Sequence, residues 1–235
     1  DFIPSAVNHL LVEAKNRAIA VQKSIEDKKI KVMLKDEALK EFFNYFVNKA
    51  CVDFIYNRYS DYYGGKDLYP KDASGDRLTI TLEAILPGSS KNTIYDNDGV
   101  SLKSLKMIQN GKVVNLWGSN QKSQYLHLPV NGKYQNFIVE PGTSNETDLT
   151  GKPYLEIVSL SDFNVDLLTG DFGSEIRFAY YHTKKGHIIP LTGGSLVGNI
   201  EECLPTIRLS QKQINLNNVK IPSYALLDKI SVFNK

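Results

Sequence analysis

Apolar side chains recur at helical spacing along the first fifty residues of the chain. Pro4 and Ser5 are start signals for an amphipathic helix that the charged run 26–29 closes. The apolar run 30–34 predicts a strand, and Asp36 can cap a second helix. The apolar face of that second helix carries Leu39, Phe42, Phe43 and Phe46. Because three phenylalanines on one helix face are costly to expose, we expect them in the core.

Beyond residue 77 the apolar positions alternate, and turn residues separate the runs. The pattern predicts strands at 77–86, 102–108, 112–117, 137–140, 155–160, 163–168, 176–182, 187–191 and 224–233. Asn110-Gly111 is the strongest short-range hairpin signal, and 195–203 is predicted as a short helix. Helices followed by turn-linked strands indicate an α+β fold, with N-terminal helices packed on a large, mostly antiparallel sheet or barrel-like domain.

Composition and charge narrow the class of protein. The chain has 235 residues, of which 42% are hydrophobic and 23% charged, which is ordinary for a globular protein and excludes a disordered or collagen-like chain. Its net charge of +2 is too balanced for a surface that binds nucleic acid through charge alone. No apolar run approaches the ~20 residues that span a bilayer, and no signal peptide is expected. We therefore expect no direct nucleic-acid partner and no membrane partner.

Cysteine usage bears on the compartment. Cys51 and Cys203 are far apart and stand in no paired spacing. This predicts two free, buried thiols in a reducing compartment, and hence a cytoplasmic protein.

Few residues could carry metal or acid–base chemistry. His182 and His187 face each other across a predicted hairpin, either as two half-exposed residues or as a weak metal pair. Asp96-x-Asp98-Gly99 lacks the spacing of a calcium loop and fits a solvated turn. The chain contains no H-E-x-x-H or C-x-x-C motif, and the spacing of its Ser, His and Asp residues indicates no nucleophile. We assign no catalytic, cofactor-binding or metal-binding residue.

Six of the thirteen tyrosines lie between Tyr45 and Tyr69. Such a density is typical of a recognition surface, because tyrosine combines apolar area with a polar group. It is equally typical of the lining of a large loop, and the run 60–75 predicts a long surface loop. Both interpretations stay open at this point.

The most specific motif is Thr169-Gly170-Asp171-Phe172, which follows a predicted strand. A glycine after threonine at a strand end indicates a tight turn with positive φ, which only glycine adopts without steric cost. Asp171 can then accept hydrogen bonds from backbone N–H groups of the turn, and Phe172 can enter the core. The motif is a candidate for a structural turn or for a direct contact with substrate.

The stretch 155–199 resembles the C-terminal region of the TldD/PmbA family, once described as modulators of DNA gyrase. That family carries T-G-D-F-S after a strand, then a hairpin that ends in Pro and Gly, and then A-G-N. Here the same elements stand, with Gly173 in place of the serine, at 169–172, 187–193 and 197–199. Further counterparts follow in the same order at 96–99, 109–112, 125–129, 137–142 and 221–227.

The resemblance spans the chain from about residue 30 onward. Because family members are longer and begin with another domain, it implies a C-terminal domain at 30–235. Residues 1–29 are then a linker helix from a missing N-terminal domain.

The two branches of that family differ in their metal. TldD-type chains resemble zinc metallopeptidases with H-E-x-x-x-H and a further cysteine ligand near the C-terminus. The corresponding stretch here, 39–46, contains no histidine, Cys203 stands too early, and Tyr224 lies near the position of that cysteine. The resemblance therefore implies the metal-free PmbA (TldE) branch and no cofactor. That branch pairs with a TldD-type partner to enclose a peptide-cleaving chamber.

The function implied by the resemblance is that of a non-catalytic peptidase-family subunit. Its partner would be a TldD-type zinc peptidase subunit or a second copy of this chain, and its substrate a peptide. Sheet edges and the turn at 169–172 would hold an extended peptide by strand addition, while the partner supplies zinc and the activated water. Two alternatives are a stand-alone peptide-binding module without peptidase context and a metallopeptidase in its own right.

Overall fold

The computed structural model describes residues 2–22, 30–149 and 151–233. In this part of the chain the α-helices are α1 (Phe2–Ala18), α2 (Asp36–Lys49), α3 (Val52–Tyr56), α4 (Asn120–Tyr125) and α5 (Ile200–Cys203). Two 3-10 helices, η1 and η2, cover Glu146–Leu149 and Leu204–Thr206. None of these described helices is long and apolar enough to cross a membrane.

The strands form two sheets that confirm the predicted α+β class. Within the described residues the strands are β1 (Lys31–Leu34), β2 (Ile80–Glu83), β3 (Leu105–Gln109), β4 (Lys112–Val113), β5 (Asn136–Val139), β6 (Tyr154–Leu160), β7 (Asn164–Val165), β8 (Asp171–His182), β9 (Ile188–Leu191), β10 (Ser195–Asn199), β11 (Arg208–Leu209), β12 (Gln213–Leu216), β13 (Val219–Pro222), β14 (Ala225–Leu227) and β15 (Ser231–Phe233). The larger sheet has the order β11-β14-β1-β6-β8-β10-β15, with β7 and β9 also paired to β8. The smaller sheet has the order β12-β13-β5-β2-β3-β4. Among the described strands only β1 with β6 and β5 with β13 pair in parallel, so the sheets are mostly antiparallel, as predicted.

The apolar face of α2 lies in the main core, as its spacing predicts. Leu39, Phe42, Phe43 and Phe46 are all 0% exposed. The ring centroid of Phe42 lies 5.7 Å from that of Phe43 and 5.9 Å from that of Phe46, which are normal distances for packed aromatic rings. Residues of β1, β2 and β6 belong to the same buried cluster, so one core joins α2 to both sheets.

The hairpin predicted at Asn110-Gly111 joins β3 and β4. Asn110 has a φ of 47° and Gly111 a φ of 78°, the pair of left-handed residues that a two-residue type I′ turn requires. The predicted pairing of 176–182 with 187–191 also forms, between β8 and β9. Of the predicted strands, 77–86, 112–117 and 163–168 are shortened to β2, β4 and β7.

The N-terminal helix is shorter than predicted. α1 ends at Ala18, and 23–29 lie outside the described part of the chain. After α1 the chain pairs with β9: Val21 N–H donates to the carbonyl of Pro190 at 3.1 Å, and Thr192 N–H donates to the carbonyl of Val21 at 3.1 Å. These strand-type hydrogen bonds satisfy backbone groups that the predicted helix would have paired internally.

The helix predicted at 195–203 is wrong in its first half. Residues 195–199 form β10, because this segment pairs on one side with β8 and on the other with β15. α5 begins only at Ile200, where Asn199 Oδ1 accepts hydrogen bonds from the N–H groups of Glu201 and Glu202.

Three further differences concern the ends of elements and short strands. Asp36 does not cap α2, because it is the first helical residue; Lys35 occupies the cap position, and its side chain makes no capping hydrogen bond to the helix. The strand predicted at 224–233 is divided into β14 and β15, and Lys229 between them has a φ of 61°. The strands β11, β12 and β13 have no counterpart in the sequence prediction, because such short runs gain their order from β5 and β14 beside them.

The larger sheet has a second face, here called the outer face, opposite the main core. Strand register places one row of residues side by side on it: Arg208, Leu226, Met33, Glu156 and Tyr180. α1 lies over one part of this face, where Asn16 Nδ2 donates to the Tyr180 hydroxyl at 2.9 Å. η1 covers another part, where Leu149 packs with Met33 and Leu226.

Candidate functional site

The Thr169-Gly170-Asp171-Phe172 motif forms the turn between β7 and β8. Gly170 has the predicted positive φ, of 79°, and its N–H donates to the carbonyl of Asp166 at 2.8 Å. The prediction that Asp171 accepts the backbone N–H groups of the turn is wrong, because Asp166 does so: its Oδ1 accepts from Leu168 N–H at 2.7 Å. An aspartate side chain readily reaches the N–H two residues further on, and Asp166 stands at that spacing.

Asn199 joins this turn to α5. Its Nδ2 donates to the carbonyl of Thr169 at 2.9 Å and to Asp171 Oδ1 at 2.8 Å, while its Oδ1 caps α5. The hydrogen bond from Asn199 lowers the pKa of the Asp171 carboxyl below its ordinary value. Ile200 N–H donates to the carbonyl of Gly170 at 2.9 Å. The motifs at 169–172 and 197–199 therefore form one structural unit.

A buried lysine supports the turn from the core side. Lys49 is 6% exposed, and its Nζ donates to the carbonyls of Leu168 at 2.8 Å and Tyr59 at 3.1 Å. The role of Lys49 was not predicted from the sequence. Its position seven residues after Phe42, on the apolar face of α2, is the signal that could have found it.

Tyr45 adds a second link between α2 and the turn region. Its hydroxyl donates to Glu201 Oε1 at 2.6 Å. Burial, followed by the hydrogen bond to Glu201, raises the pKa of Tyr45 well above its ordinary value, so the phenol is a neutral donor. The turn is thus fixed by contacts with α2 and α5 as well as by its own backbone.

Phe172 enters the core, as predicted. It is 3% exposed, and its ring centroid lies 5.2 Å from that of Phe163. A Cβ on Gly198 would lie 2.6 Å from Phe172 Cζ, so only glycine lets β10 approach this ring. The Phe of one motif and the Gly of the other are therefore packing partners.

Gly170→Ala is expected to lower the free energy of unfolding by about 1–2 kcal/mol, because alanine is strained in a left-handed conformation. The added Cβ would also lie 3.2 Å from the Tyr45 hydroxyl oxygen. Gly186→Ala is the matched control. Gly186 has a φ of 78°, so the variant has the same backbone strain, but nothing lies within 4 Å of the added Cβ. Urea unfolding should show the larger loss for Gly170→Ala. Unchanged stability of this variant would contradict the assigned backbone conformation.

β8, β10 and β15 form a part of the larger sheet that is here called the open sheet. Register places Ser195 beside both Glu175 and Phe233. Val197 and Phe233 are 48% and 58% exposed, whereas Leu196 is buried toward the core. β15 ends the strand order, and none of the described strands pairs with its outer edge, which could therefore accept a further strand.

A cleft of about 620 Å³ adjoins the open sheet. The backbone of Gly193 and Gly194 and the ring of Phe233 line it. Glu175 and Arg177 also line it, and their side chains form an ion pair with an N–O distance of 3.1 Å. The cleft therefore offers backbone, apolar and charged groups at the end of the edge strand.

His182 lies opposite Ile188, not His187, in the pairing of β8 with β9, so the two histidines are not the cross-strand pair considered from the sequence. His182 Nε2 lies 2.9 Å from Glu156 Oε2, and its ring stacks on Tyr154 with centroids 4.1 Å apart. Lys35 Nζ donates to the other oxygen of Glu156 at 2.9 Å. His187 is exposed in the turn of the hairpin, and its carbonyl accepts from the backbone N–H of Thr183 at 2.9 Å.

Acid is expected to weaken the fold through Glu156. Burial alone would raise its pKa, but the hydrogen bond with His182 and the charge of Lys35 lower it from 4.5 to about 2. The resulting stabilisation is complete above pH 4.5 and is lost as the pH falls toward 2. Urea unfolding at about pH 6 and about pH 3 should show a smaller acid effect in Glu156→Gln than in the unmodified chain. Equal acid effects would contradict the assignment.

The other candidate metal ligands either form hydrogen bonds within the protein or lie apart from one another. In the described part of the chain no three His, Cys, Asp or Glu side chains are grouped to hold a metal. Asp96 Oδ1 accepts from the N–H groups of Asp98 and Val100 at 2.9 Å each, in the predicted turn.

Cys51 and Cys203 are free and buried, as predicted, and burial raises their pKa values to about 11 and about 12. Neither thiol is therefore a ready thiolate at neutral pH.

The tyrosine-rich segment is divided between the two interpretations. Tyr45, Tyr62 and Tyr69 are buried and belong to the main core. The other three members are 46–62% exposed: Tyr56, Tyr59 and Tyr63. Half of the cluster is therefore core lining and half is surface.

Comparison with known proteins identifies relatives. A family model described as the PmbA/TldA metallopeptidase C-terminal domain matches residues 27–234. No curated protein matches the chain.

Three solved structures share the fold. TldE from Thermococcus kodakarensis is 14% identical, with a TM-score of 0.73 over 89% of this chain and 51% of that one. A protein from Bacteroides thetaiotaomicron, described as a candidate modulator of DNA gyrase, is 16% identical, with a TM-score of 0.76 over 95% of this chain and 51% of that one. A protein with the same description from Thermotoga maritima is 16% identical, with a TM-score of 0.74 over 89% and 51%. The chain thus spans about half the length of these structures.

Proposed function

The chain belongs to the TldD/PmbA family, and we propose that it is a non-catalytic subunit that holds an extended peptide for a zinc-carrying, TldD-type partner. The packing of α2 carries the proposal. At 39–46, where the TldD-type branch is expected to have H-E-x-x-x-H, this chain has no histidine. Phe42, Phe43 and Phe46 fill that helix face and are each 0% exposed, which favours a structural helix over a metal-binding one.

The open sheet supports the peptide-holding part of the proposal. A peptide that pairs with the free edge of β15 would gain backbone hydrogen bonds from this strand and side-chain contacts with Phe233 and the adjoining cleft. The neighbouring strand, β10, is five residues long, or about 16 Å, and it ends at Asn199 beside the 169–172 turn. A short extended segment could therefore reach from the cleft to the turn.

The partner would supply the zinc and the activated water of peptide hydrolysis. A second copy of this chain is the other candidate partner. Peptide hydrolysis by the complex with a TldD-type subunit, abolished by a chelator and absent from either subunit alone, is the expected result. Hydrolysis by the TldD-type subunit alone at the same rate would contradict a contribution from this chain. Peptide binding without any such complex would instead favour a stand-alone binding module.

Phe233→Lys is expected to weaken peptide binding by the complex, because lysine on an edge strand discourages strand addition. Ile94→Lys is the matched control, since Ile94 and Phe233 are 59% and 58% exposed and Ile94 lies in the connection between β2 and β3 of the smaller sheet. Fluorescence anisotropy with a short labelled peptide of alternating valine and threonine measures the difference. Equal binding by both variants would show that the edge of β15 is not used.

The chain alone is predicted to bind no catalytic zinc. A hydrolytic site needs about three protein ligands and an open position for water, and the four histidines include none between His9 and His127. Metal analysis of protein purified without chelator and without partner decides the matter. One equivalent of zinc, together with chelator-sensitive peptide hydrolysis, would make the chain a metallopeptidase in its own right.

Residues 1–29 are further proposed to connect the domain at 30–235 to a preceding domain. α1 presents apolar side chains to solvent, with Val7, Leu10 and Leu11 47–63% exposed, which supports a contact outside this domain. Slower amide exchange in α1 within the longer protein would agree with this role.

The two free thiols agree with a cytoplasmic location, which cell fractionation tests.

A further inference from the structure

Four basic side chains surround a concave part of the outer face beside η1: Lys31, Lys152, Arg208 and Lys212. Two adjoining clefts of about 380 Å³ and about 230 Å³, which share Ser144, form this surface, here called the basic cleft. It lies on the η1 side of the larger sheet, near the β11 end of the strand order, whereas the open sheet lies at the β15 end.

The basic cleft has more positive than negative charge. Asp148 is the acidic residue of its lining, and its Oδ2 already accepts from Asn145 N–H at 2.9 Å. Lys31 forms an ion pair with Asp228 at 3.3 Å. Counting both acids against the four bases leaves an excess of two positive charges. Within the described residues no ion pair neutralises the other three bases, Lys152, Arg208 and Lys212.

Hydroxyl groups lie between these charges. The Ser144 and Tyr224 hydroxyl oxygens are 3.2 Å apart, and the Ser223 hydroxyl donates to Ser210 Oγ at 3.0 Å. Ser210 is 1% exposed, and its hydroxyl donates to the carbonyl of Lys212 at 2.7 Å, which fixes the backbone that carries this lysine. These hydrogen bonds fix the backbone beneath the cations, and each uses the single hydrogen of a hydroxyl group.

We propose that the basic cleft binds a small ligand with two negative charges on oxygen atoms, either a phosphate group or a pair of carboxylates. Arg208 offers a planar guanidinium that can donate two parallel hydrogen bonds to such a group. Lys152 and Lys212 act as point charges that attract the same group. The clefts accommodate a small molecule rather than a polymer, and the near-neutral chain argues against general polyanion binding.

Nuclear magnetic resonance titration of the full chain tests this inference. Inorganic phosphate and succinate are added separately at constant ionic strength, so that screening does not change. Saturable shifts of the Ser144, Ser210 and Tyr224 amides are expected with at least one probe. Tighter binding of phosphate would identify a phosphate ligand, and tighter binding of succinate a dicarboxylate. Absence of saturable shifts with both probes would overturn the inference.

Arg208→Ala is expected to weaken binding about tenfold, the loss typical of one charge-assisted contact. Lys212→Ala should act similarly and carries the test if the first variant does not fold. Lys91→Ala is the matched control, because Lys91 is exposed and lies outside the basic cleft. An equal loss in Lys91→Ala would show attraction by net charge alone and would also overturn the inference.

Discussion

Phe42→Ala is expected to lower the free energy of unfolding by about 3–5 kcal/mol. Phe42 is 0% exposed, and its ring packs against Phe43 and Phe46. Truncation removes the ring from a core shared by a helix and two sheets, so neighbouring elements cannot close the cavity without losing their own contacts. Since domains are stable by about 5–15 kcal/mol in total, the loss is a large share of the stability. Urea unfolding followed by circular dichroism measures it.

Tyr63→Ala is the control for this variant, because Tyr63 is 62% exposed. Its effect is expected to stay within about 0.5 kcal/mol. A loss below about 1 kcal/mol in Phe42→Ala would mean that the core tolerates an empty space there. It would also remove the main argument against a metal-binding role for α2, because a helix face that is not needed for packing is free to carry ligands.

Elements whose causes are local could be predicted from the sequence. The spacing of Leu39, Phe42 and Phe46 places the side chains on one helix face whatever the tertiary structure, and α2 forms with that face buried. Asn110 and Gly111 tolerate positive φ, and the predicted hairpin forms at these two residues. Gly170 follows the same rule at the start of β8.

Elements whose causes are distant could not be predicted. The segment 195–199 becomes a strand because β8 and β15 flank it, and the end of α1 is set by pairing of Val21 with the edge of β9. These partner strands lie outside the segments themselves, so no local sequence pattern identifies them. Intrinsic helix propensity differs by less than about 1 kcal/mol per residue between most side chains. The hydrogen bonds to a strand on each side therefore override it.

The candidate site could be predicted from the sequence only in part, for the same reason. The positive φ of Gly170 and the burial of Phe172 follow from residue type, and both are confirmed. The hydrogen bonds from Asn199 to Thr169 and Asp171 join residues about thirty positions apart, and the hydrogen bond from Lys49 to Leu168 joins residues 119 positions apart. A polar residue within an apolar helix face shows that some buried partner exists, but not which carbonyl it is.

Lys49→Met is expected to lower the free energy of unfolding by about 2–4 kcal/mol. The change keeps the unbranched side chain but removes the donor for the carbonyls of Leu168 and Tyr59. Each hydrogen bond that a charged donor makes contributes about 1.5–3 kcal/mol, while the relief from burying a charge offsets part of the sum. Lys71→Met is the matched control, because Lys71 is exposed, and its effect should stay within about 0.5 kcal/mol.

The local consequence of Lys49→Met distinguishes support of the turn from a general packing role. Lys49 donates to the carbonyl of Leu168, directly before the 169–172 turn, so amide exchange at Gly170 and Asp171 should accelerate more than exchange in β3 of the smaller sheet. Uniform acceleration across both sheets would show that the lysine contributes only to global stability. If the turn alone loosens and peptide binding by the complex falls with it, the 169–172 segment contributes to holding the peptide because α2 keeps it in place. Unchanged binding with a loosened turn would restrict the motif to a structural role.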